Sequence, residues 1–237
     1  MSGGKSDLRI LLIGKKGVGK TTAVEAIGGE PNPGPTQCPA KYRHPIDGRT
    51  VVMVDTPGLS EEAEHAFRDM IFDALPLTNP GPNAILMVLD AEEKNQAVLE
   101  TVIDALGVEA KKHIVILLVN RANKDEQELV DVSNAELGNE YEGRYIFFNG
   151  KSSPNPIQVS QLLEMITELS LQEGIYQMET FMEKERKRQS KEKMTKKERL
   201  RFHKDAFIQA CEELKEEEPE LIKSMTDVIK KLPKTFN

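Results

Sequence analysis

The sequence lacks the features that mark secreted, membrane-spanning and general nucleic-acid-binding proteins. Its two cysteines, Cys38 and Cys211, lie far apart and outside any metal-ligand spacing, so a reducing compartment is expected. It has no run of about 18 apolar residues, and its first residues carry no apolar signal core. The net charge of −7 argues against general nucleic-acid binding. These absences predict a soluble, cytoplasmic protein without a transmembrane segment.

Charged residues are abundant where long apolar stretches are rare. Of the 237 residues, 30% are charged and 38% are hydrophobic, so a core exists but much of the chain must form solvated surface. This length accommodates one α/β domain and a smaller second part. We predict a nucleotide-binding domain over residues 1–174 and a helical extension over residues 175–237.

A glycine-rich loop with the pattern Gly-x-x-x-x-Gly-Lys-Thr occupies residues 14–21. It follows the apolar run Leu8–Ile13, which is typical of a buried strand, and precedes a stretch with helical character. Strand, loop and helix in this order form a cradle whose backbone N–H groups bind phosphate at the positive end of the helix. Lys20 is expected to reach the β- and γ-phosphates, and the Thr21 hydroxyl to ligate Mg²⁺. The predicted nucleotide contacts in this stretch are Lys15, Lys16, Gly17, Val18, Gly19, Lys20, Thr21 and Thr22.

Three residues further along the chain are predicted to form a site for the γ-phosphate and for magnesium. Thr36 lies in the loop where nucleotide switches place a threonine that orders on the γ-phosphate. Asp55 ends a predicted strand, and an acid there holds the Mg²⁺ shell directly or through water. Gly58 allows a backbone N–H to approach the γ-phosphate. The predicted metal ligands are Thr21, Thr36 and Asp55, and the residues predicted to act in hydrolysis are Lys20, Thr36 and Gly58.

Strand-like and helical patterns alternate through this part of the chain. The runs Ala40–Ile46 and Arg49–Val54 are joined at a tight-turn signal, and Pro45 restricts the first run to the edge of a sheet. Ala84–Leu89 is apolar enough to be a central strand, and Glu93–Leu106 is predicted to be a helix. The alternation predicts an α/β fold with a mostly parallel, doubly wound sheet and ligands at the carboxyl ends of its strands.

The end of the next apolar run is where guanine-nucleotide switches carry Asn-Lys-x-Asp. The usual aspartate accepts hydrogen bonds from two donors of guanine, whereas Asn123 can accept only through its carbonyl. In a shifted register Asp125 reaches the base instead and serves both donors. Both alternatives stay open at this point. The predicted base-side contacts are Asn120, Arg121, Asn123 and, after the last predicted strand, Asn149.

Leu59 occupies the position at which many switches carry a glutamine that orients the attacking water. Leucine cannot orient water, so slow turnover by the monomer is predicted, with any acceleration supplied by a second subunit or a partner. The nearby polar residues are more commonly solvated helix residues than catalytic groups. They are Glu61, Glu62, Glu64, His65 and Lys94.

A basic strip covers residues 183–201, where ten Lys or Arg residues stand against four Glu residues. Such a run is usually the solvated face of a helix. Peripheral membrane contact through this strip is not favoured, because no wide apolar face accompanies it.

The set of motifs resembles the GIMAP, or immune-associated nucleotide-binding (AIG-type), GTPases. The matching segments are the loop 14–21, residues 35–38, 47–49 and 54–59, the Pro-Gly-Pro segment 80–82 with the strand after it, and residues 144–149. The resemblance implies a Ras-like P-loop GTPase domain with an added C-terminal helix. It also implies guanine-nucleotide binding with Mg²⁺, weak hydrolysis and GTP-dependent dimerisation or oligomerisation through the nucleotide face.

Two departures from that family concern the chemistry. Family members usually have Arg-Lys-Asp near the base, where this chain has Asn123. The Gly-Arg-Phe-like stretch after the central strand is replaced by residues 91–94, so an arginine supplied across a dimer has no counterpart there. The resemblance implies a slow GTPase that binds GTP or GDP. The alternatives are a scaffold that binds GTP with negligible hydrolysis and a P-loop ATPase or kinase, which only Asn123 suggests.

Overall fold

The computed structural model describes residues 6–29, 36–59, 64–122, 124–125, 129, 141, 143–149 and 156–191. The chain divides into two compact units, residues 1–181 and residues 182–237. Several residues singled out above lie outside the described part, namely Glu61, Glu62, Asn123 and the basic strip beyond residue 191. The side chains of Glu64, His65 and Asn149 also lie outside it.

The first unit is built on a six-stranded sheet with the order β2-β3-β1-β4-β5-β6. The described strands are β1 (Leu8–Ile13), β2 (Ala40–Ile46), β3 (Arg49–Asp55), β4 (Ala84–Asp90), β5 (Ile114–Asn120) and β6 (Tyr145–Asn149). Only the β2–β3 pairing is antiparallel among these, and β2 lies at the edge of the sheet. The predicted mostly parallel α/β sheet is confirmed.

The helices described in this part of the chain cover both faces of the sheet. They are α1 (Lys20–Gly28), α2 (Glu64–Ala74), α3 (Gln96–Leu106) and α4 (Pro156–Glu173). A further helix, α5 (Met178–Lys191), begins at the end of the first unit and continues into the second. One apolar cluster joins α1 and α4 to alternate residues of the central strands, such as Leu8, Ile10 and Leu12. No residue of α2 or α3 belongs to that cluster, although both helices bury an apolar stripe. Because side chains alternate along a strand, the other residues of β1 face the opposite side of the sheet.

The helix α3 begins later than the sequence pattern indicates. The pattern predicts a helix from Glu93, but the first helical residue is Gln96. The Asn95 side chain donates to the backbone oxygens of Asp90 and Glu93, at 2.8 Å in both cases. These bonds hold residues 91–95 as a loop that turns back on the end of β4. The loop therefore stays at the carboxyl edge of the sheet, where the functional site lies.

The segment Pro80-Gly81-Pro82 lies at the opposite edge of the sheet, before β4. The Tyr176 N–H donates to the Pro82 oxygen at 2.9 Å, and a Cβ added at Gly81 would lie 2.2 Å from the Tyr176 oxygen. Arg9 Nε donates to the Gly81 oxygen at 2.8 Å, which ties the loop to the start of β1. This segment therefore anchors the connection between α4 and α5.

Among the described helices, none combines the length and the apolar character needed to cross a bilayer.

Candidate functional site

The glycine-rich loop joins β1 to α1 at the carboxyl edge of the sheet. Gly19 takes a φ of 111°, a conformation that side chains oppose, and α1 begins at the next residue. The Lys20 Nζ donates to the backbone oxygens of Gly14 at 2.9 Å and Lys15 at 3.0 Å. The ammonium group is therefore held across the loop, between its first residues and the positive end of the helix.

Lys20 is buried in this position, with 6% of its surface exposed. Burial lowers its pKa from 10.5 to about 8, and the Asp55 carboxylate opposes this effect. A buried ammonium group is destabilised because it has lost water and gained only neutral carbonyl partners. An anion bound in the loop would place a negative charge beside the ammonium group and stabilise it. Phosphate binding therefore favours the protonated form of Lys20.

Thr21, Thr36 and Asp55 come together beside this lysine. Thr21 Oγ1 donates to Asp55 Oδ2 at 2.7 Å, and Thr36 Oγ1 donates to the same carboxylate oxygen. The two hydroxyl oxygens are 3.5 Å apart. The residues come from the first turn of α1, from the segment before β2 and from the end of β3. The structure thus brings together the three side chains that the sequence analysis predicts as metal ligands.

The Asp55 carboxylate can accept more hydrogen bonds than the described residues donate to it. Asp55 is fully buried, yet its Oδ1 atom has no hydrogen-bond partner among the residues that the structure describes. A buried carboxylate oxygen without a partner is costly, and a cation would remove that cost. Carboxylate and hydroxyl oxygens are the ligands that Mg²⁺ prefers. The donor set fits magnesium, with the remaining coordination positions left for water and phosphate oxygens. No group of three or more His, Cys, Asp or Glu side chains suited to a metal occurs in the described ranges.

The turn after β3 packs directly against the glycine-rich loop. Leu59 N donates to the Gly14 oxygen at 3.0 Å, and Lys16 N donates to the Leu59 oxygen at 3.2 Å. A Cβ added at Gly58 would lie 2.2 Å from Lys16 Cα, so only glycine permits this approach. The backbone of Gly58 therefore lies at the phosphate loop, where the sequence analysis places a γ-phosphate contact.

The base-side loop begins at the end of β5. Asn120 accepts from Lys124 N at 3.0 Å and donates to the Lys124 oxygen at 2.9 Å, so its side chain closes the loop 120–124. Arg121 donates to the Gly17 oxygen and pairs with Asp90 at 3.3 Å. Asp125 is exposed just beyond this loop. Asn120 and Asn149 lie side by side in the β5–β6 register.

Three acidic residues, which the sequence analysis did not predict as part of the site, connect its loops. Asp90 at the end of β4 pairs with Arg121, Glu92 pairs with Lys124 at 3.1 Å, and Glu93 pairs with Lys15 at 2.9 Å. Glu92 also accepts from Ala122 N at 3.0 Å. The position of Asp90 at a strand end was an available signal, but the pairings join residues far apart in sequence. These contacts hold the loop after β4 between the phosphate loop and the base-side loop.

The remaining predicted contacts fall into two groups. Within or next to the loop, the Val18 side chain is buried, while Lys16, Gly17 and Thr22 are exposed. Asn123 and the Asn149 side chain lie outside the described residues.

The chain matches the AIG1 family model over residues 8–198. It is 28% identical to GTPase IMAP family member 8 from Homo sapiens over 179 residues, which cover 68% of this chain and 27% of that protein. The protein of the same name from Mus musculus is 28% identical over 183 residues, which cover 69% of this chain and 26% of that protein. The chain therefore spans about a quarter of the length of these relatives.

Solved structures of low sequence identity share the fold. Toc33 from Arabidopsis thaliana, in complex with GDP and Mg²⁺, is 17% identical with a TM-score of 0.56, covering 71% of this chain and 86% of that one. A variant of Era from Aquifex aeolicus, bound to GDP and AlF4⁻, is 16% identical with a TM-score of 0.54, covering 70% and 57%.

The sheet order, the glycine-rich loop and the polar cluster at the strand ends define this unit as a P-loop GTPase domain. The family match covers most of the chain and identifies it further. The chain belongs to the AIG1 family, as the sequence motifs indicate.

Proposed function

We propose that this protein is a GTP-binding switch that slowly hydrolyses GTP to GDP and phosphate. One observation carries the proposal: the buried Asp55 carboxylate has an unpartnered oxygen beside two hydroxyl groups and a buried lysine. A magnesium ion and a polyphosphate supply the charges that this arrangement lacks. Family membership supports GTP as the nucleotide, as do the GTPase names of the relatives.

Each group has a distinct part in this proposal. Lys20 and the N–H groups of the loop bind the β- and γ-phosphates, and Thr21, Thr36 and Asp55 hold the Mg²⁺ shell. The Gly58 N–H approaches the γ-phosphate. The magnesium ion, when bound, neutralises charge that develops on the transferring phosphoryl group. Lys15 keeps its predicted nucleotide contact as part of this proposal, with Glu93 setting its position.

Guanine recognition is proposed to come from the loop that Asn120 closes. Asn123 and Asp125 stay the two alternatives for the base edge, with Asn149 beside it. Calorimetry with GTP, GDP, ATP and XTP in the presence of Mg²⁺ tests this part, because a carboxylate matches the two donors of guanine and XTP lacks the exocyclic amine. Tighter binding of ATP than of GTP would contradict the assignment and favour the ATPase alternative.

Turnover by a single subunit is proposed to be slow because Leu59 replaces the residue that orients water. Its N–H and oxygen both bond to the phosphate loop, and its side chain has no polar group. The main alternative is a nucleotide-dependent scaffold that binds GTP with negligible hydrolysis. Phosphate release per chain separates the two: measurable turnover supports the GTPase, and a rate equal to the buffer blank supports the scaffold.

GTP-dependent dimerisation or oligomerisation through the nucleotide face is the finer part of the proposal. It is supported by the resemblance to the family and by a solved relative of the fold, a dimerization-deficient mutant of Toc33 from Arabidopsis thaliana. Light-scattering mass with GDP and with the non-hydrolysable analogue GMPPNP tests it. A larger mass with GMPPNP is expected, and an unchanged mass contradicts assembly.

The central test of nucleotide binding is Lys20→Ala. Loss of the ammonium group is expected to weaken binding of both GDP and GMPPNP at least about a hundredfold, since a charged contact to phosphate is among the strongest in the site. The exposed Lys112→Ala, on the 3₁₀ turn Val108–His113 before β5, controls for the loss of one positive charge. Equal affinity of Lys20→Ala and the parent protein would contradict the proposal.

A further inference from the structure

We infer that Lys16 supplies a positive charge to the γ-phosphate from within the same chain. This inference rests on the proposed function and assigns a role in distinguishing GTP from GDP. It follows from a difference among the three lysines of the phosphate loop, Lys15, Lys16 and Lys20, which have similar charge and different surroundings.

Two of the lysines already have protein partners. Lys20 is buried and donates to two backbone oxygens of the loop. Lys15 pairs with Glu93 of the loop after β4, and this carboxylate neutralises the charge of Lys15. Lys16 is exposed and makes no side-chain hydrogen bond or ion pair with any residue in the described part of the chain. It is therefore the loop lysine whose ammonium group has no protein partner among the described residues.

The backbone contacts of Lys16 place it on the γ-phosphate side of the loop. The Gly58 Cα is so close that a Cβ built on it would lie 2.6 Å from Lys16 Cβ. Lys16 N also donates to the Leu59 oxygen at 3.2 Å. Gly58 and Leu59 follow the magnesium ligand proposed at Asp55, so this turn faces the terminal phosphate. The Lys16 side chain thus begins where the phosphate loop meets the γ-phosphate turn.

The chemistry of the reaction favours a cation at this place. Phosphoryl transfer needs charge neutralisation on the oxygens around the transferred phosphorus. The loop after β4 carries Glu92 and Glu93 in the stretch where the resembling family has an arginine. A carboxylate cannot neutralise the phosphate oxygens as that arginine would. A lysine on a flexible stem can follow the γ-phosphate without the fixed geometry that a guanidinium requires. Because Lys16 belongs to the same chain, its effect does not depend on protein concentration.

The test compares the affinities of variants for GDP and for GMPPNP in the presence of Mg²⁺. Lys16→Gln removes the charge, and Lys16→Arg keeps it. Lys112→Gln removes an exposed charge at the opposite edge of the sheet and is the matched control. The ratio of the two affinities isolates the γ-phosphate, because both ligands share the base, the ribose and the first two phosphates. The retained affinity for GDP also shows that the variant is folded.

We expect Lys16→Gln to reduce the preference for GMPPNP over GDP by about tenfold or more, as for a charge-assisted hydrogen bond. Lys16→Arg and Lys112→Gln are expected to keep the preference of the parent within about twofold. Raising the salt concentration should reduce the preference of the parent more than that of Lys16→Gln, because an exposed charge is screened.

Two results would overturn the inference while leaving the proposed function intact. An unchanged preference in Lys16→Gln would show that the side chain does not reach the γ-phosphate. An equal loss of both ligands would show that Lys16 acts on the shared phosphates or on the loop. If the parent protein binds neither nucleotide, the proposed function is wrong and the inference is wrong with it, and this result needs no variant.

Discussion

Polar side chains at the carboxyl ends of the parallel strands differ in their hydrogen bonding from those at the amino ends, which form the opposite edge of the sheet. At the carboxyl edge, Asp55 Oδ1 is buried without a partner and Lys20 is buried against neutral carbonyl groups. At the other edge, Asn83 accepts from Arg9 N at 2.8 Å and donates to Ser170 at 2.7 Å, and the Tyr176 hydroxyl donates to the Leu106 oxygen at 2.6 Å. We propose that a ligand completes the first arrangement, whereas the hydrogen bonds of Asn83 and Tyr176 are made within the folded chain.

This difference separates a binding site from a structural network of similar polarity. A group at the first edge should contribute more to ligand affinity than to folding stability. A group at the second edge should do the reverse. The following changes test that contrast, starting with the largest expected effect.

Asp55→Asn should have the largest effect, and on binding. The change removes the negative charge that we propose to face Mg²⁺ and replaces one oxygen by a donor. Nucleotide affinity in Mg²⁺ is expected to fall at least about a hundredfold, or about 3 kcal/mol. Calorimetry with GDP, with and without EDTA, measures it. The thermal stability of the ligand-free protein should change much less than binding does, because the amide oxygen can still accept from Thr21 and Thr36. A marked loss of thermal stability would contradict the proposal that groups at the carboxyl edge contribute more to binding than to folding.

Gly81→Ala should lower the folding stability and leave nucleotide binding nearly unchanged. The added Cβ would lie 2.2 Å from the Tyr176 backbone oxygen, so the backbone around Tyr176 must move. We expect a loss of about 2 kcal/mol in the free energy of unfolding, measured with urea, as for overpacked sites. GDP affinity at a temperature where the variant is folded is expected to stay within about twofold of the parent. Ser170→Ala, which removes one partner of Asn83, offers a milder change at the same edge.

Raising the pH should weaken nucleotide binding and, through the same residue, stabilise the ligand-free protein. The pKa of Lys20 is about 8 in the folded chain, and phosphate binds the protonated form, so affinity is expected to fall by up to about tenfold per pH unit above pH 8. The folded pKa lies below the unfolded value of 10.5. Between these values the unfolded chain therefore binds more protons, and the contribution of Lys20 to stability rises with pH.

Calorimetry and thermal unfolding from about pH 7 to about pH 9 measure these two effects. Lys20→Met, which cannot titrate, is the reference for stability. If the parent and Lys20→Met change equally in stability over this range, the assigned pKa is wrong.

Tyr176→Phe should have the smallest effect. It removes the hydroxyl that donates to the Leu106 oxygen and leaves that buried acceptor without this partner. A loss of about 1 kcal/mol in unfolding free energy is expected. Nucleotide affinity should not change. Burial raises the pKa of Tyr176, so the hydroxyl remains a donor over the whole working range and the effect should not depend on pH. A pH-dependent effect would argue against this assignment.

The sequence predicts the parts of the molecule that local patterns determine. The strand β4 is apolar at almost every position, and the glycine-rich loop has fixed spacing, so both could be located without a structure. The grouping of Thr21, Thr36 and Asp55 was predicted because nucleotide switches place a threonine after the first helix and an acid at the strand end beside the phosphate loop.

The sequence does not predict contacts between distant residues whose types are common. The pair Lys15–Glu93 joins residues 78 positions apart, and no pattern distinguishes Glu93 from other exposed acids. The start of α3 was displaced because Asn95 bonds to the end of β4 instead of capping the helix with its side chain. The close approach of Gly81 to Tyr176 likewise depends on the packing of the whole unit.

The bridge between Lys15 and Leu59 has a consequence for the proposed nucleotide switch. Two main-chain bonds tie the turn after β3 to the phosphate-binding loop, so the turn cannot shift toward a terminal phosphate unless these bonds stretch or the loop follows. The N–H of Leu59 is engaged in this bridge, and its rate of deuterium uptake would report the motion directly. Loss and gain of one phosphate group would then be readable at a single amide, without a chemical probe attached to the protein.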